Sequence, residues 1–300
     1  MTVVLRPFDP DRDLAAGLGL WNAALGDSWP LAVPAFCARA TAGIVAVLEG
    51  EMAGLALTHA GELRPGIRAI VVSPPLQGRG IGTAVLDAAV ASLPQGWVQL
   101  GGALDYLWPG VPVNLPRANA FFQQHGWPFN RTSWDLVGNL RAYHTPPEVV
   151  ERAARSGCTF RRAGAADMAA ILRFEEAFFS NWVPYFRETL DPSRIVVAVE
   201  ADGSIVGTVL TEVAGQTGDN WAGTWAAILG PDMGAIGAGG VDPRVRMKGV
   251  GTGLMARAAE LLRDEGAGNC HVGWTGLLSF YGRLGFEPWR EYAMSRRQIG

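Results

Sequence analysis

The sequence predicts an α/β chain of two tandem domains, each a mixed, mostly antiparallel sheet flanked by helices. Three observations carry that expectation. The order strand, helix, hairpin, strand, glycine-rich turn, helix is written twice along the 300 residues, and self-similarity on this scale marks repeated units. Val45–Leu57 and Val197–Leu210 each read as two apolar strands joined by a polar turn. At the midpoint, Tyr143-His144-Thr145-Pro146-Pro147 breaks the pattern, because proline disfavours a helical residue before it and cannot donate its own backbone hydrogen bond.

Taken in order, Leu5-Arg6-Pro7-Phe8-Asp9 followed by Leu14-Ala15-Ala16 predicts an edge strand running into a helix, and Phe160–Ala163 followed by Asp167–Ala170 predicts that pair again. After the first hairpin comes Ala69–Pro74, a strand that stops at its proline. Gln77-Gly78-Arg79-Gly80-Ile81-Gly82 then opens a helix through Val90. In the second copy, Gly240-Val241-Asp242-Pro243 precedes Arg246-Met247-Lys248-Gly249-Val250-Gly251 and a helix reaching Arg263. Glu148–Arg155 predicts a linker helix between the copies, which sets the expected domains at 1–145 and 158–300 around a linker at 146–157.

Composition narrows the function. Lys plus Arg number 25 against 28 Asp plus Glu, for a net charge of −3 in a chain that is 49% hydrophobic and 18% charged. That excludes a disordered acidic chain and a basic nucleic-acid coat, and gives no steering toward a polyanion or polycation. The first residues lack a basic region leading into an apolar segment, and no apolar run approaches the roughly 20 residues that span a bilayer. The expectation is a cytoplasmic protein with no membrane and no nucleic-acid partner. Three scattered cysteines fit reduced thiols, and four scattered histidines show no ligand spacing, so no metal is expected.

The two glycine turns carry the chemistry. Glycines three and five places after a polar residue let the backbone turn tightly and present consecutive N–H groups at a helix start, where unpaired donors and the helix dipole favour an anion. Arg79, Arg246 and Lys248 add charge suited to phosphates. The spacing matches neither the dinucleotide fingerprint nor the nucleotide loop that ends in Lys-Ser or Lys-Thr.

These paired turns, with the order of elements around them, resemble the acyl-CoA pyrophosphate loop of the GCN5-related N-acetyltransferase (GNAT) superfamily. Phe280-Tyr281-Gly282-Arg283-Leu284-Gly285-Phe286 resembles that family's closing motif, with Tyr281 in the position of its general acid. The resemblance covers nearly the whole chain as a tandem pair. It implies that acetyl-CoA is the acyl donor and that it sits in a cleft where the fifth strand diverges from the fourth. The coenzyme residues it implies are Val241 and Arg246, Met247, Lys248, Gly249, Val250 and Gly251, with Val72 and Gln77, Gly78, Arg79, Gly80, Ile81 and Gly82 in the first copy. The first copy departs from the pattern, since Phe122 stands where Tyr281 stands and has no proton to give. Catalysis is therefore expected in the second half.

The implied reaction is direct N-acetylation of a small-molecule primary amine, with an amino sugar as one suggested acceptor because of similarity to bacterial glucosamine or glucosaminide N-acetyltransferases. Asp232 and Glu175 are the leading candidates for a base. Trp182, Tyr185 and Phe186, with Trp221 and Trp225, are candidates for an aromatic acceptor wall or equally for covering a core, and Tyr106 and Trp108 of the loop Asp105–Pro112 for hydrophobic closure between the domains or for stacking on a sugar or adenine. The competing reading is an inactive acyl-CoA-binding sensor or regulatory module. A monomer with pseudo-dimeric domains, or a weak homodimer, is the expected assembly.

Overall fold

The computed structural model describes residues 2–61, 65–102, 106–189, 191–215 and 221–300, which divide into two compact units. The first comprises Met1–Trp134, Gly223–Leu229 and Arg290–Gly300, and the second Asp135–Ala222 and Gly230–Trp289.

In the first unit, β1 (Val4–Pro7) leads into α1 (Pro10–Leu25), and α2 (Val33–Arg39) precedes the hairpin of β2 (Gly43–Leu48) and β3 (Glu51–His59). Two left-handed residues, Glu49 and Gly50, close that hairpin, as a two-residue turn requires. Then come β4 (Gly66–Val72), α3 (Ile81–Ser92), β5 (Gly96–Leu100), β6 (Val111–Pro112) and α4 (Pro116–Gln124). In the second unit, β7 (Arg131–Asn139), whose residues from Asp135 onward belong to this unit, is followed by α5 (Pro147–Arg155), β8 (Thr159–Arg162), α6 (Met168–Phe178), α7 (Val183–Glu188), β9 (Ile195–Val199) and β10 (Ile205–Val213). The short α8 (Ala226–Leu229) returns to the first unit, after which β11 (Met233–Val241), α9 (Val250–Asp264), β12 (Asn269–Thr275) and α10 (Leu278–Gly282) complete the second. The final strand, β13 (Glu287–Ile299), enters the first unit at Arg290.

Strand order is β1-β2-β3-β4-β5-β13 in the first unit and β8-β9-β10-β11-β12-β7 in the second. The pairings β4 with β5 and β11 with β12 are parallel, while the hairpin pairings are antiparallel. The repeat extends to individual ion pairs. Arg6 donates to both oxygens of Asp13 at 2.6 and 2.8 Å, and Arg161 to both oxygens of Asp167 at 2.7 and 2.9 Å. Each guanidinium holds its carboxylate below the usual range while tying a first strand to the segment after it. Each unit has an apolar core: Ile67, Ile81, Val85, Leu86 and Val98 lie in that of the first, and Ile171, Phe186, Ile195 and Val197 in that of the second.

The compact units do not follow the linear division expected at 146–157. Residues Ser295–Ile299 of β13 pair antiparallel with β5, from Ser295 opposite Leu100 to Ile299 opposite Gly96, so the last strand completes the first sheet. The helix expected as a linker forms as α5 but packs on α9, within the second unit. Among the described residues, no helix is long and apolar enough to cross a membrane.

Candidate functional site

A fork in the second sheet organises the site. The parallel ladder between β11 and β12 runs from Met233 opposite Asn269 to Ile236 opposite Val272, and beyond it no further rung joins the two strands among the described residues. A bulge bends β11 where the ladder ends: its register on β10 jumps from Leu210 opposite Gly237 to Thr208 opposite Gly240, leaving Ala238 and Gly239 against the single residue Val209. Ala238 takes a φ of +45°, and Trp274 on the opposite prong takes +53°. Left-handed backbone costs a side-chain-bearing residue about 1–2 kcal/mol, so packing must hold both prongs apart. The packing is visible at the glycines of β11. A Cβ on Gly240 would lie 2.5 Å from the Phe179 ring, one on Gly239 2.3 Å from Met255, and one on Gly237 3.1 Å from Trp221. The Asp242 N–H donates to the Val206 carbonyl at 2.9 Å. Alternation along the strand therefore turns the neighbouring Val241 N–H to the other edge, into the fork.

Past β11, a short turn at Pro243–Val245 leads to the glycine loop. Asp242 is buried and accepts from the Arg244 guanidinium and backbone N–H, which holds its carboxyl below the usual range and fixes the turn. Met247 and Gly249 both adopt positive φ, at +65° and +96°, and α9 begins at once. The first N–H groups of a helix have no partner within it, so Gly249, Val250 and Gly251 supply donors where the dipole is positive. The Phe280 ring lies over Gly251, 3.6 Å from where its Cβ would be.

Tyr281, on α10, is buried, edge-on to Phe280 at 4.9 Å and to Phe286 at 6.0 Å. Burial pushes its phenol well above the ordinary tyrosine range, so it keeps its proton at any physiological pH. The first unit repeats this arrangement with Phe122 edge-on to Phe121 at 5.2 Å and to Trp127 at 6.5 Å. Its fork also recurs: among the described residues β4 pairs with β5 only at Gly66 opposite Gln99 and Ile67 opposite Leu100. There the Gln77 side-chain amide donates to the Val72 carbonyl at 3.2 Å, while Gly78 and Gly80 hold φ of +75° and +82° in open space. Gly82 lies under Phe121 as Gly251 lies under Phe280. Arg79 and Ile81 flank Gly80 at the start of α3.

The two carboxylates expected as bases lie in different places. Asp232 immediately precedes β11, about 13 Å along the strand from the residue where the fork begins. Its side chain pairs with Arg141 at 2.6 Å, so it does not join the site. Glu175, on α6, is fully buried and accepts the Thr208 hydroxyl at Oε1, while Oε2 has no hydrogen-bond partner among the described residues. Burial pushes its carboxyl up to about 8. Thr208 stands opposite Gly240, which puts Glu175 behind the strand that borders the fork.

Of the expected acceptor wall, Trp182, Tyr185 and Trp221 gather on the second unit's core around Phe186. Trp225 belongs to the first unit, its ring 4.9 Å from Trp29. Trp108 is also buried there, 5.1 Å from Trp21 and 5.3 Å from Trp29, and presents no stacking face. Of the two readings of its loop, stacking is not met at Trp108, which Pro109 follows and which fills a core. Tyr106 is only partly buried, and Asp105 lies outside the described residues.

Three features escaped the reading of the sequence. Asp135 accepts the Trp274 N–H at 2.9 Å and lies 3.2 Å from His271, a buried polar cluster behind the β12 prong. The bulge at Ala238 has no motif. Arg152 of α5 donates to the Met247 carbonyl at 2.7 Å. For the last of these a signal existed, because Met247 aligns with Gly78, and glycine in one copy marks a left-handed position in both.

The model of the acetyltransferase (GNAT) family matches residues 20–127 and 166–286. The chain is 28% identical over 255 residues to a mycothiol acetyltransferase of Nocardia farcinica (strain IFM 10152), covering 82% of this chain and 79% of the relative. A second mycothiol acetyltransferase, of Rhodococcus erythropolis (strain PR4 / NBRC 100887), is 28% identical over 271 residues, with 80% and 79% covered. Among solved structures, a GCN5-related glucosamine N-acetyltransferase region of a fungal multi-domain GH3 β-N-acetylglucosaminidase superposes with a TM-score of 0.90 at 25% identity, over 99% of this chain. This chain spans only 38% of that protein's length. A tandem GNAT protein from the clavulanic acid biosynthesis pathway shares the fold, with a TM-score of 0.67 at 16% identity over 100% of this chain and 99% of that one.

Proposed function

The chain belongs to the acetyltransferase (GNAT) family, and from that premise we propose that it acetylates the primary amine of a small amino sugar, with the second unit as the working site and Tyr281 as general acid. Acetyl-CoA, the donor used by this fold, supplies the acetyl group as a thioester. The residues present suit it: a strand edge at the fork with no further rung among the described residues, and a glycine loop of left-handed residues opening α9. The edge of β11 up to Val241 would hold the pantetheine arm, with the Val241 N–H directed at the thioester carbonyl. Arg246–Gly251 would hold the pyrophosphate.

Tyr281 holds a proton at Oη for the departing sulfur. A neutral phenol suits that task, because it stabilises no competing charge before the bond breaks. Glu175, which lies behind the strand bordering the fork and holds a proton up to about pH 8, would take the proton that the amine sheds only when deprotonated, at its unpartnered Oε2. Cys270 is fully buried, and burial pushes its thiol well above the ordinary range, so it is no nucleophile and transfer to the amine is direct. The first unit is read as non-catalytic because Phe122 replaces the phenol.

The observation that carries this reading is the joint presence, in one unit, of fork, loop and buried phenol. The amino-sugar acceptor draws on the resemblance to the fungal glucosamine N-acetyltransferase region. The test is release of free coenzyme thiol by the full chain with acetyl-CoA and glucosamine, with other small primary amines as comparison. Turnover with glucosamine above the other amines supports the proposal. Turnover with another amine would overturn the acceptor, and tight acetyl-CoA binding without any turnover would make the protein a coenzyme sensor.

A further inference from the structure

The two glycine loops are built from the same turn but held differently. In the first, Gly78 takes a φ of +75° and Gly80 one of +82°, with no atom within 4 Å of where either Cβ would be. In the second, the position of Gly78 belongs to Met247, whose φ is +65° and which is 84% exposed. An exposed methionine gains little from packing to offset left-handed backbone. Something else must hold the loop.

That support comes from α5. Its Arg152 donates from Nη2 to the Met247 carbonyl at 2.7 Å, and the Arg152 carbonyl sits so close to Gly249 that a Cβ there would lie 2.3 Å away. The helix is itself fixed along α9. Ala153 approaches Gly253, where a Cβ would lie 2.8 Å from it, and upstream of α5 Thr145 donates to Glu260 at 2.6 Å and Arg263 to the Tyr143 carbonyl at 2.5 Å. The segment Tyr143–Arg155 thus runs along α9 from its last turns to its first and ends on the loop. No comparable brace reaches the loop of the first unit among the described residues.

We propose that Arg152 is a positioning residue for the coenzyme: it holds the Met247 carbonyl so that the loop Arg246–Gly251 keeps its N–H groups presented before acetyl-CoA arrives. This rests on the reading that the second loop receives the pyrophosphate. A glycine at 247 adopts a positive φ without strain and needs no brace, so the strain and the brace are one device. Arg152 acts through the loop backbone and not by touching phosphate.

The distinction is testable on the full chain by calorimetric titration with acetyl-CoA and by steady-state kinetics. Arg152→Ala is expected to weaken acetyl-CoA binding about tenfold, the scale set by releasing one left-handed side-chain-bearing residue, and to raise KM in step with kcat little changed. In that background Met247→Gly is expected to recover most of the loss, because the unbraced loop no longer resists its shape. Met247→Ile, at a solvent-exposed position where folding is not at stake, raises the strain with Arg152 intact and is expected to weaken binding also. Arg152→Ala binding as tightly as the wild type would overturn the proposal while the enzyme reading stands. Weak binding that Met247→Gly does not recover would also overturn it, since Arg152 would then contact the coenzyme itself. If the wild type binds no acetyl-CoA, the underlying functional reading falls instead.

Discussion

Thr208 donates its hydroxyl hydrogen to Oε1 of Glu175, and Oε2 of that carboxyl, which has no exposure to solvent, finds no hydrogen-bond partner among the described residues. Burial raises the group to about 8 from its ordinary value of about 4.5. The folded state therefore keeps a proton at pH values where the unfolded chain has lost it. The contribution to stability is complete below about 4.5, declines as pH rises, and is gone above about 8. Glu175→Gln, which mimics the protonated form, should flatten that decline, by at most on the order of 1 kcal/mol per pH unit. Denaturant titrations at several pH values check it, and identical slopes for both proteins would show that Glu175 does not titrate this way. If Glu175 is also the base, the same variant lowers kcat most on the alkaline side.

Tyr281→Phe removes one oxygen and keeps the ring that packs on Phe280 and Phe286. The fold should persist, with thermal unfolding close to wild type. Turnover should fall by about two to three orders of magnitude, the usual reach of a positioned general acid, with KM for acetyl-CoA little changed. A variant that keeps most of its kcat would remove Tyr281 from the chemistry.

Gly249→Ala and Gly80→Ala should differ sharply. Both positions are left-handed, but a Cβ at 249 meets the Arg152 carbonyl at 2.3 Å, whereas the space at 80 is open. The first substitution should abolish the coenzyme site of the second unit. The second should cost about 1 kcal/mol of stability and leave that site intact. Calorimetric stoichiometry separates the outcomes: one site that survives Gly80→Ala and is lost with Gly249→Ala assigns binding to the second unit, and two sites lost separately would assign it to both.

Asp135→Ala leaves buried His271 and the Trp274 N–H without the carboxylate that faces them. Removing one member of such a cluster costs about 2–4 kcal/mol. The lowered midpoint should appear in chemical denaturation, and a change under 1 kcal/mol would mean that the cluster contributes little to holding the prong.

Much of this architecture was legible because the sequence says it twice. Hairpins, glycine loops and both flanking helices follow from local patterns, and the pair Phe122 and Tyr281 marks which copy has the phenol. What stayed hidden depends on contacts distant in sequence. Asp135 and His271 meet only after β7 and β12 have joined one sheet. Asp232 and Glu175 look alike as acidic residues, yet one pairs with Arg141 and the other is sealed behind β10. Trp108 reads as a binding aromatic until the tertiary packing surrounds it with Trp21 and Trp29.

The pairing of β13 with β5 has a consequence for biosynthesis. A ribosome makes β5 well before Arg290–Gly300, and at roughly 5–20 residues per second tens of seconds separate them. Throughout that interval the nascent N-terminal portion displays the unsatisfied backbone of β5, the kind of template on which foreign strands dock. Synthesis of Arg290–Gly300 is what seals it, so a stop just before that segment would injure a part of the protein made long before.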